Sequence, residues 1–148
     1  VRVPCGGGGL TPCVATAARG LSPDPAVYAV EPQDWDDTTR SFASGRREEA
    51  DGSGSSLCDA LLSPMPGELT FAVNRALCAG GLTVNDAEVA AAMRAAFLHL
   101  KLVAEPGGAV ALAAALTGKV ATRDRVTVVV ISGGNVDPPL YARILELG

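Results

Sequence analysis

Aromatic residues make up only 4% of this 148-residue chain, basic residues form no run, and His99 is its one histidine. With no basic–aromatic interleaving and a net charge of −4, no nucleic-acid partner is expected. No apolar stretch is long enough to span a bilayer, and no basic n-region with an apolar h-region opens the chain. A cytoplasmic protein with no membrane contact is expected. The four cysteines, Cys5, Cys13, Cys58 and Cys78, form no C-x-x-C pair and lie far in sequence from His99, so zinc-ligand spacing is missing. Cys13 and Cys78 fall in helical patterns and are expected to be small buried apolar residues, reduced in the cytoplasm. Lysine is scarcer still, with only Lys101 and Lys119.

What the chain does have is glycine in unusual places. Its length suits one domain, and 48% of it is hydrophobic, an ordinary globular fraction. Val1-Arg-Val-Pro-Cys-Gly-Gly-Gly-Gly-Leu10 is a short strand-type run ending in four glycines, and a helical pattern, Leu10 to Arg19, comes at once after it. Glycines without Cβ atoms let backbone N–H groups converge. A helix starting just beyond adds unpaired N–H groups and a partial positive charge. The combination is a receptor for a phosphate. Gly20 suits the position after that helix, Ser22-Pro-Asp-Pro25 is a turn, and Ala26 to Val30 is a strand. This βαβ unit implies a parallel sheet with a right-handed crossover.

Further helices are expected over Asp34 to Ala43, over Gly67 to Ala79 with Gly80-Gly81 ending it, and after the capping box of Asn85 and Glu88. Gly45 to Ser56 reads as an exposed loop, and Leu82-Thr-Val84 as a brief extended segment. Val89, Met93, Phe97 and Leu100 share one helical face and are expected in the core, with His99 at the surface or its boundary. Ala104 to Gly108 reads as a loop, with Glu105 either buried or a plain loop acid. Ala109 to Thr117 reads as a close-packed small-residue helix, and Leu140 to Leu147 as a last amphipathic one. Arg125 to Ile131 is the strongest strand. Its continuous apolar run implies burial on both faces in the middle of a parallel sheet. It ends in Ser132-Gly-Gly-Asn135, a second glycine corner at a strand's C-terminal end, where ligands bind in open α/β sheets.

Alternatives stand beside these readings. A dinucleotide fingerprint would use Gly6, Gly8 and Glu31, but Thr11 occupies its third glycine position. A Walker loop lacks its Gly-Lys-Ser/Thr. Four glycines can also make no more than a tight turn. Glu31, Asp34, Asp36 and Asp37 form an acidic cluster at a strand exit. Its oxygens suit Mg²⁺ or Ca²⁺, or else cap a helix and meet solvent.

Five stretches occur together in one order: Val3-Pro-Cys-Gly-Gly-Gly-Gly-Leu10, Tyr28-Ala-Val-Glu-Pro32, Pro64-Met-Pro-Gly-Glu-Leu-Thr-Phe71, Leu100-Lys-Leu-Val-Ala-Glu-Pro106 and Ser132-Gly-Gly-Asn135. The chain thereby resembles the threonine dehydratase and serine racemase family, pyridoxal-phosphate enzymes of the tryptophan-synthase-β-like fold, over nearly its whole length. The resemblance implies an α/β, three-layer αβα domain with a parallel sheet, of which residues 1–148 are the C-terminal part. It implies that N–H groups of Gly6, Gly7, Gly8, Gly9 and Leu10 hold the cofactor phosphate and that Ser132 hydrogen-bonds the pyridine nitrogen. For the serine racemase branch it implies a divalent cation, Mg²⁺ or Ca²⁺, on Glu31, the Trp35 carbonyl and Asp37. Lys101 and Asn135 match positions that touch a nucleotide effector in some relatives. Two departures are Gly107, where relatives carry serine, and Ala60, where they carry glycine.

The family's Schiff-base lysine and its substrate-carboxylate loop belong to an N-terminal half, and neither motif is in this sequence. The expectation is therefore the cofactor-binding half of an ammonia-lyase that eliminates water from threonine or serine, inactive alone and completed by that N-terminal half, with a homodimer when intact. Serine racemisation, a non-catalytic phosphate- or nucleotide-binding fragment, and a Rossmann-like nucleotide domain are the alternatives.

Overall fold

The structure is a computed structural model that describes residues 1–22 and 24–146. Pro23 of the expected Ser22–Pro25 turn and Leu147 of the expected last helix lie outside the described residues. Three strands, β1 (Arg2–Pro4), β2 (Tyr28–Pro32) and β3 (Gly80–Val84), form a parallel sheet in the order β1-β2-β3. The register pairs Val3 with Ala29 and Val30 with Leu82. Helix α1 (Leu10–Leu21) makes the crossover between β1 and β2, as the βαβ pattern requires. The remaining helices are α2 (Asp37–Ser44), α3 (Glu68–Leu77), α4 (Asp86–Ala95), α5 (Pro106–Leu116) and α6 (Pro138–Glu146).

Alternation along the strands divides the core. Val3 and Val27 face α1 and the end of α3 in a small cluster with Ala15. Val30 and Val84 face the larger cluster, built with Val89, Met93, Ile144 and the alanines of α5. Helix α5 is apolar all round and buried from Pro106 to Ala111 and again at Ala113 and Ala114. Such a helix has no face to offer solvent and belongs inside. Its small side chains let it lie close under the sheet. It starts three residues before the expected Ala109, because Pro106 at its first turn needs no N–H partner.

Several expectations are corrected. Gly80 and Gly81 open β3 instead of only ending a helix, since they pair with Tyr28 and Ala29. Gly20 lies inside α1, which is capped at Ser22. Cys13 is exposed and Cys78 half-buried, while Cys5 and Cys58 are the buried thiols. The stripe beyond α4 fails halfway: Val89 and Met93 are buried, but Phe97 and Leu100 are 37% and 53% exposed. A π-helical turn at Ala96–Leu100 adds a residue to the turn and rotates the side chains beyond it, so Ala96 takes the core position. His99 is exposed, as expected.

The run before Ser132 is the largest correction. It lies beside β1, with a parallel bridge Arg2–Val129; the Arg2 N–H donates to the Val128 carbonyl at 2.9 Å and the Val130 N–H donates to the Arg2 carbonyl at 3.0 Å. It is an outer flank, not a doubly buried centre. Val126 is 97% exposed, lying before the first ladder bond at Val128; among the described residues no strand pairs with the far edge of the run. Among the described residues no helix is long and apolar enough to cross a membrane.

Glycine at 108 is required by contact. A Cβ there would sit 2.6 Å from the Gly133 carbonyl oxygen, whereas one at Gly107 would meet the Leu61 side chain at 3.2 Å and the Ala60 Cβ at 3.5 Å. Gly→Ala inside a helix ordinarily stabilises by about 0.5–1 kcal/mol. Gly108→Ala is instead expected to destabilise by roughly 1–3 kcal/mol, and Gly107→Ala by less. Urea midpoints of the two variants, compared at one pH, check the order.

Candidate functional site

The parallel pairing brings two glycine corners to one edge of the sheet. Arg2 lies level with Val129, so Pro4 runs level with Ile131 and the corners at Cys5 to Gly9 and at Ser132 to Gly134 leave the same end of adjacent strands. The first corner begins where the Cys5 N–H still donates to the Val30 carbonyl at 2.9 Å. Gly6 then packs on the Leu61 backbone, where a Cβ would come within 3.1 Å of Cα. Gly8 takes φ +87°, and a Cβ there would stand 2.9 Å from the Thr70 hydroxyl and 3.3 Å from the Asn74 amide nitrogen. Only glycine accepts both demands.

The corner runs into α1, whose first residue is Leu10. Gly9 caps that helix without a side-chain bond, and no acid stands in the first turn. Among the described residues, Gly6, Gly7, Gly8 and Gly9 donate no backbone–backbone hydrogen bond outside helices and strands. A set of unclaimed N–H groups thus lies at the positive end of a helix, beside open space at Gly9. That is what an anion needs. Behind the corner, α3 holds it. The Gly7 carbonyl accepts from the Thr70 hydroxyl at 3.0 Å and from the Gly67 N–H at 3.4 Å. Sequence reasoning missed Thr70 and the fully buried Asn74. The available signal was a hydroxyl in the first turn of the helix that Pro64–Phe71 opens.

The second corner is keyed into the start of α5. The Glu105 N–H donates to the Gly133 carbonyl at 3.0 Å. The Glu105 carboxylate fills the place of a Gly133 Cβ, and a Gly134 Cβ would lie 2.6 Å from the Val103 carbonyl oxygen. Glu105, ambiguous in the sequence, is thus the half-buried N-cap of α5. Ser132 itself is exposed at the edge. Lys101 and Asn135 are also exposed, the Lys101 ammonium bonding the Leu98 carbonyl at 2.9 Å.

The acidic cluster divides. Glu31 and Asp37 are fully buried, Asp34 is exposed, and Asp36 pairs with Arg40 at 2.6 Å. Glu31 caps α2 from the end of β2: its oxygens accept from the Thr38 and Thr39 N–H groups at 2.9 and 2.8 Å and from the Thr39 hydroxyl at 2.7 Å. Both Asp37 carboxylate oxygens are buried without a partner. Trp35 lies in the turn between them, its indole N–H donating to the Gly54 carbonyl at 3.0 Å. Burial pushes Glu31 up to about 7 despite those bonds, and burial, then the Glu31 charge, pushes Asp37 up to about 7. Burial, then the Glu31 charge, also raises the Cys5 thiol to about 12, so it is inert at neutral pH. Among the described residues no group of three or more His, Cys, Asp or Glu side chains could hold a metal; the candidate set is two carboxylates and one carbonyl.

Comparison with known proteins gives one consistent result. A family described as "Pyridoxal-phosphate dependent enzyme" matches residues 1–133. The serine racemase of Dictyostelium discoideum is 36% identical over 149 residues, covering 99% of this chain and 46% of that protein. The L-threonine ammonia-lyase of Thermotoga maritima is 34% identical over 148 residues, covering 100% of this chain and 36% of that protein. The maize serine racemase structure superposes with a TM-score of 0.85 at 33% identity, over 98% of this chain and 46% of that one. The chain thus spans less than half the length of these relatives.

The two buried acids set a pH dependence. Both pKa values stand near 7, above ordinary values of 4.5 and 3.8. Between those limits the native state holds protons that the unfolded chain has released, so stability falls as pH rises from about 4 to 7 and levels beyond. In chelator, Asp37→Asn is expected to flatten that fall and to stabilise the fold at pH 8 by roughly 1–3 kcal/mol, read from urea midpoints at pH 5 and 8.

Proposed function

The chain belongs to the pyridoxal-phosphate dependent enzyme family, and from that premise we propose that it is the cofactor-binding half of a threonine/serine ammonia-lyase that eliminates water from hydroxy-amino acids. The observation that carries this reading is the bare cradle of Gly6 to Leu10 sharing one sheet edge with Ser132. The residues fit the cofactor: a glycine loop whose N–H groups are unclaimed suits a phosphate, and a hydroxyl at the neighbouring strand end suits a ring nitrogen. Pyridoxal phosphate supplies an electron sink that acidifies the substrate α-proton. The N–H groups of Gly6, Gly7, Gly8, Gly9 and Leu10 would hold its phosphate, and Ser132 its pyridine nitrogen. A neutral hydroxyl at that nitrogen, in place of a carboxylate, leaves the ring less electron-withdrawing, which suits loss of a β-hydroxyl.

The base and covalent anchor come from the remainder of the protein. Lys119 pairs with Glu88 at 2.9 Å and Lys101 with the Leu98 carbonyl, and neither stands in the sequence context of the family's Schiff-base lysine. Matched relatives more than twice this length support a missing half that supplies the lysine and closes over the two corners; a homodimer of the whole rests on the family resemblance alone. Serine racemisation is the second reading, favoured by the acid pair. Asp37, buried with both oxygens unpartnered, is the kind of carboxylate a hard cation satisfies, and Glu31, the Trp35 carbonyl and Asp37 would hold Mg²⁺ or Ca²⁺.

The 148-residue chain alone is expected to release no ammonia from L-threonine or L-serine. Joined to the rest of its reading frame it is expected to yield ammonia and the 2-oxo acid; a whole protein silent on hydroxy-amino acids would overturn the reading. Mg²⁺ or Ca²⁺ at millimolar concentration is expected to raise the melting temperature of the chain, and Asp37→Asn to abolish that rise. An unchanged rise in the variant removes Asp37 from the ligand set.

A further inference from the structure

We propose that Thr70 is a positioning residue for the anion cradle: its hydroxyl pins the Gly7 carbonyl toward α3 and thereby aims the Gly8 N–H into the site. The inference rests on the phosphate-cradle reading above and adds a residue to it. In a trans peptide the C=O of one residue and the N–H of the next point in opposite directions. The Gly7 carbonyl is directed at α3, where it meets the Thr70 hydroxyl at 3.0 Å and the Gly67 N–H at 3.4 Å. The Gly8 N–H therefore points away from α3, although Gly8 as a residue is buried.

A Gly–Gly peptide is the one that most needs such a pin. With glycine on both sides, rotation of the peptide plane about its flanking bonds meets no Cβ. The flipped plane would present the Gly7 carbonyl to an anion and hide the Gly8 N–H against α3. The long Gly67 contact is a weak restraint, so the hydroxyl bond is the principal one. It is also adjustable. The Thr70 hydroxyl has one proton and two acceptors, Gly7 at 3.0 Å and its own helix at Gly67 at 3.1 Å. An anion bound to the Gly8 N–H polarises the Gly7 carbonyl and draws that proton to it, so pin and ligand strengthen each other. Gly8 itself cannot change, because its φ of +87° turns its missing Cβ onto the same hydroxyl at 2.9 Å.

The test uses the ¹⁵N-labelled 148-residue chain with pyridoxine 5′-phosphate, which carries the phosphate but no aldehyde to react with Lys101 or Lys119. In the unaltered chain, titration is expected to shift the amides of Gly6 to Leu10. Thr70→Val keeps the shape and branching without the donor. It is expected to weaken binding by about five- to tenfold, the worth of one hydrogen bond, and to remove the Gly8 shift while that of Leu10 persists. Thr70→Ser is expected to restore both. Wild-type affinity and an intact Gly8 shift in Thr70→Val would overturn the role of Thr70 and leave the cradle standing. So would failure of Thr70→Ser to rescue a weakened Thr70→Val. No movement of the Gly6 to Leu10 amides in the unaltered chain would overturn the cradle and the pin together.

Discussion

Parallel pairing of adjacent strands is the constraint on which the rest of this molecule depends. A parallel sheet sends every strand out at the same edge. β1 leaves it as the four-glycine corner, β2 as Glu31 and the turn through Trp35, and the outer flank as Ser132. None of these pieces is near the others in sequence. An antiparallel turn anywhere in the order would send one of them to the far side. Helix α5, packed under all three strands and keyed to Gly133, holds that alignment from below.

Much of this was legible in the residues. The βαβ unit was apparent from one glycine run between two apolar runs. The Asn85–Glu88 capping box is present with both of its bonds. What could not be read were features set by distant contact. Val126 and Val128 read as interior because an apolar run does not by itself reveal what covers its two faces. The Phe97 and Leu100 positions were misplaced because a π-helical turn breaks the period on which the stripe was counted. Thr70 was invisible as a site residue because its partner, Gly7, is 63 residues away. The family likeness carried the site assignments further than spacing could, and Gly107 and Ala60, the two departures from the family pattern, both pack around Leu61 close to the first corner.

The acid pair shows how one arrangement can serve structure and chemistry at once. Glu31 does what an N-cap side chain does, but from a neighbouring strand, because Asp36 makes no cap bond of its own. That leaves Asp37 facing a second buried carboxylate with no donor to share. A fold tolerates such a group when something else is gained. A cation is one such gain, and a proton held near neutrality is the other.

The outer flank has a colloidal consequence. Positions 126 to 131 are all β-branched, and Val126 and Val128 are 97% and 50% exposed. An edge of this composition, left unpaired among the described residues and without lysine or proline to blunt it, is a template for another strand. Kept by itself in concentrated solution, the polypeptide will tend to add copies of itself along that border, so dilution and a covering segment will govern how long it stays dispersed.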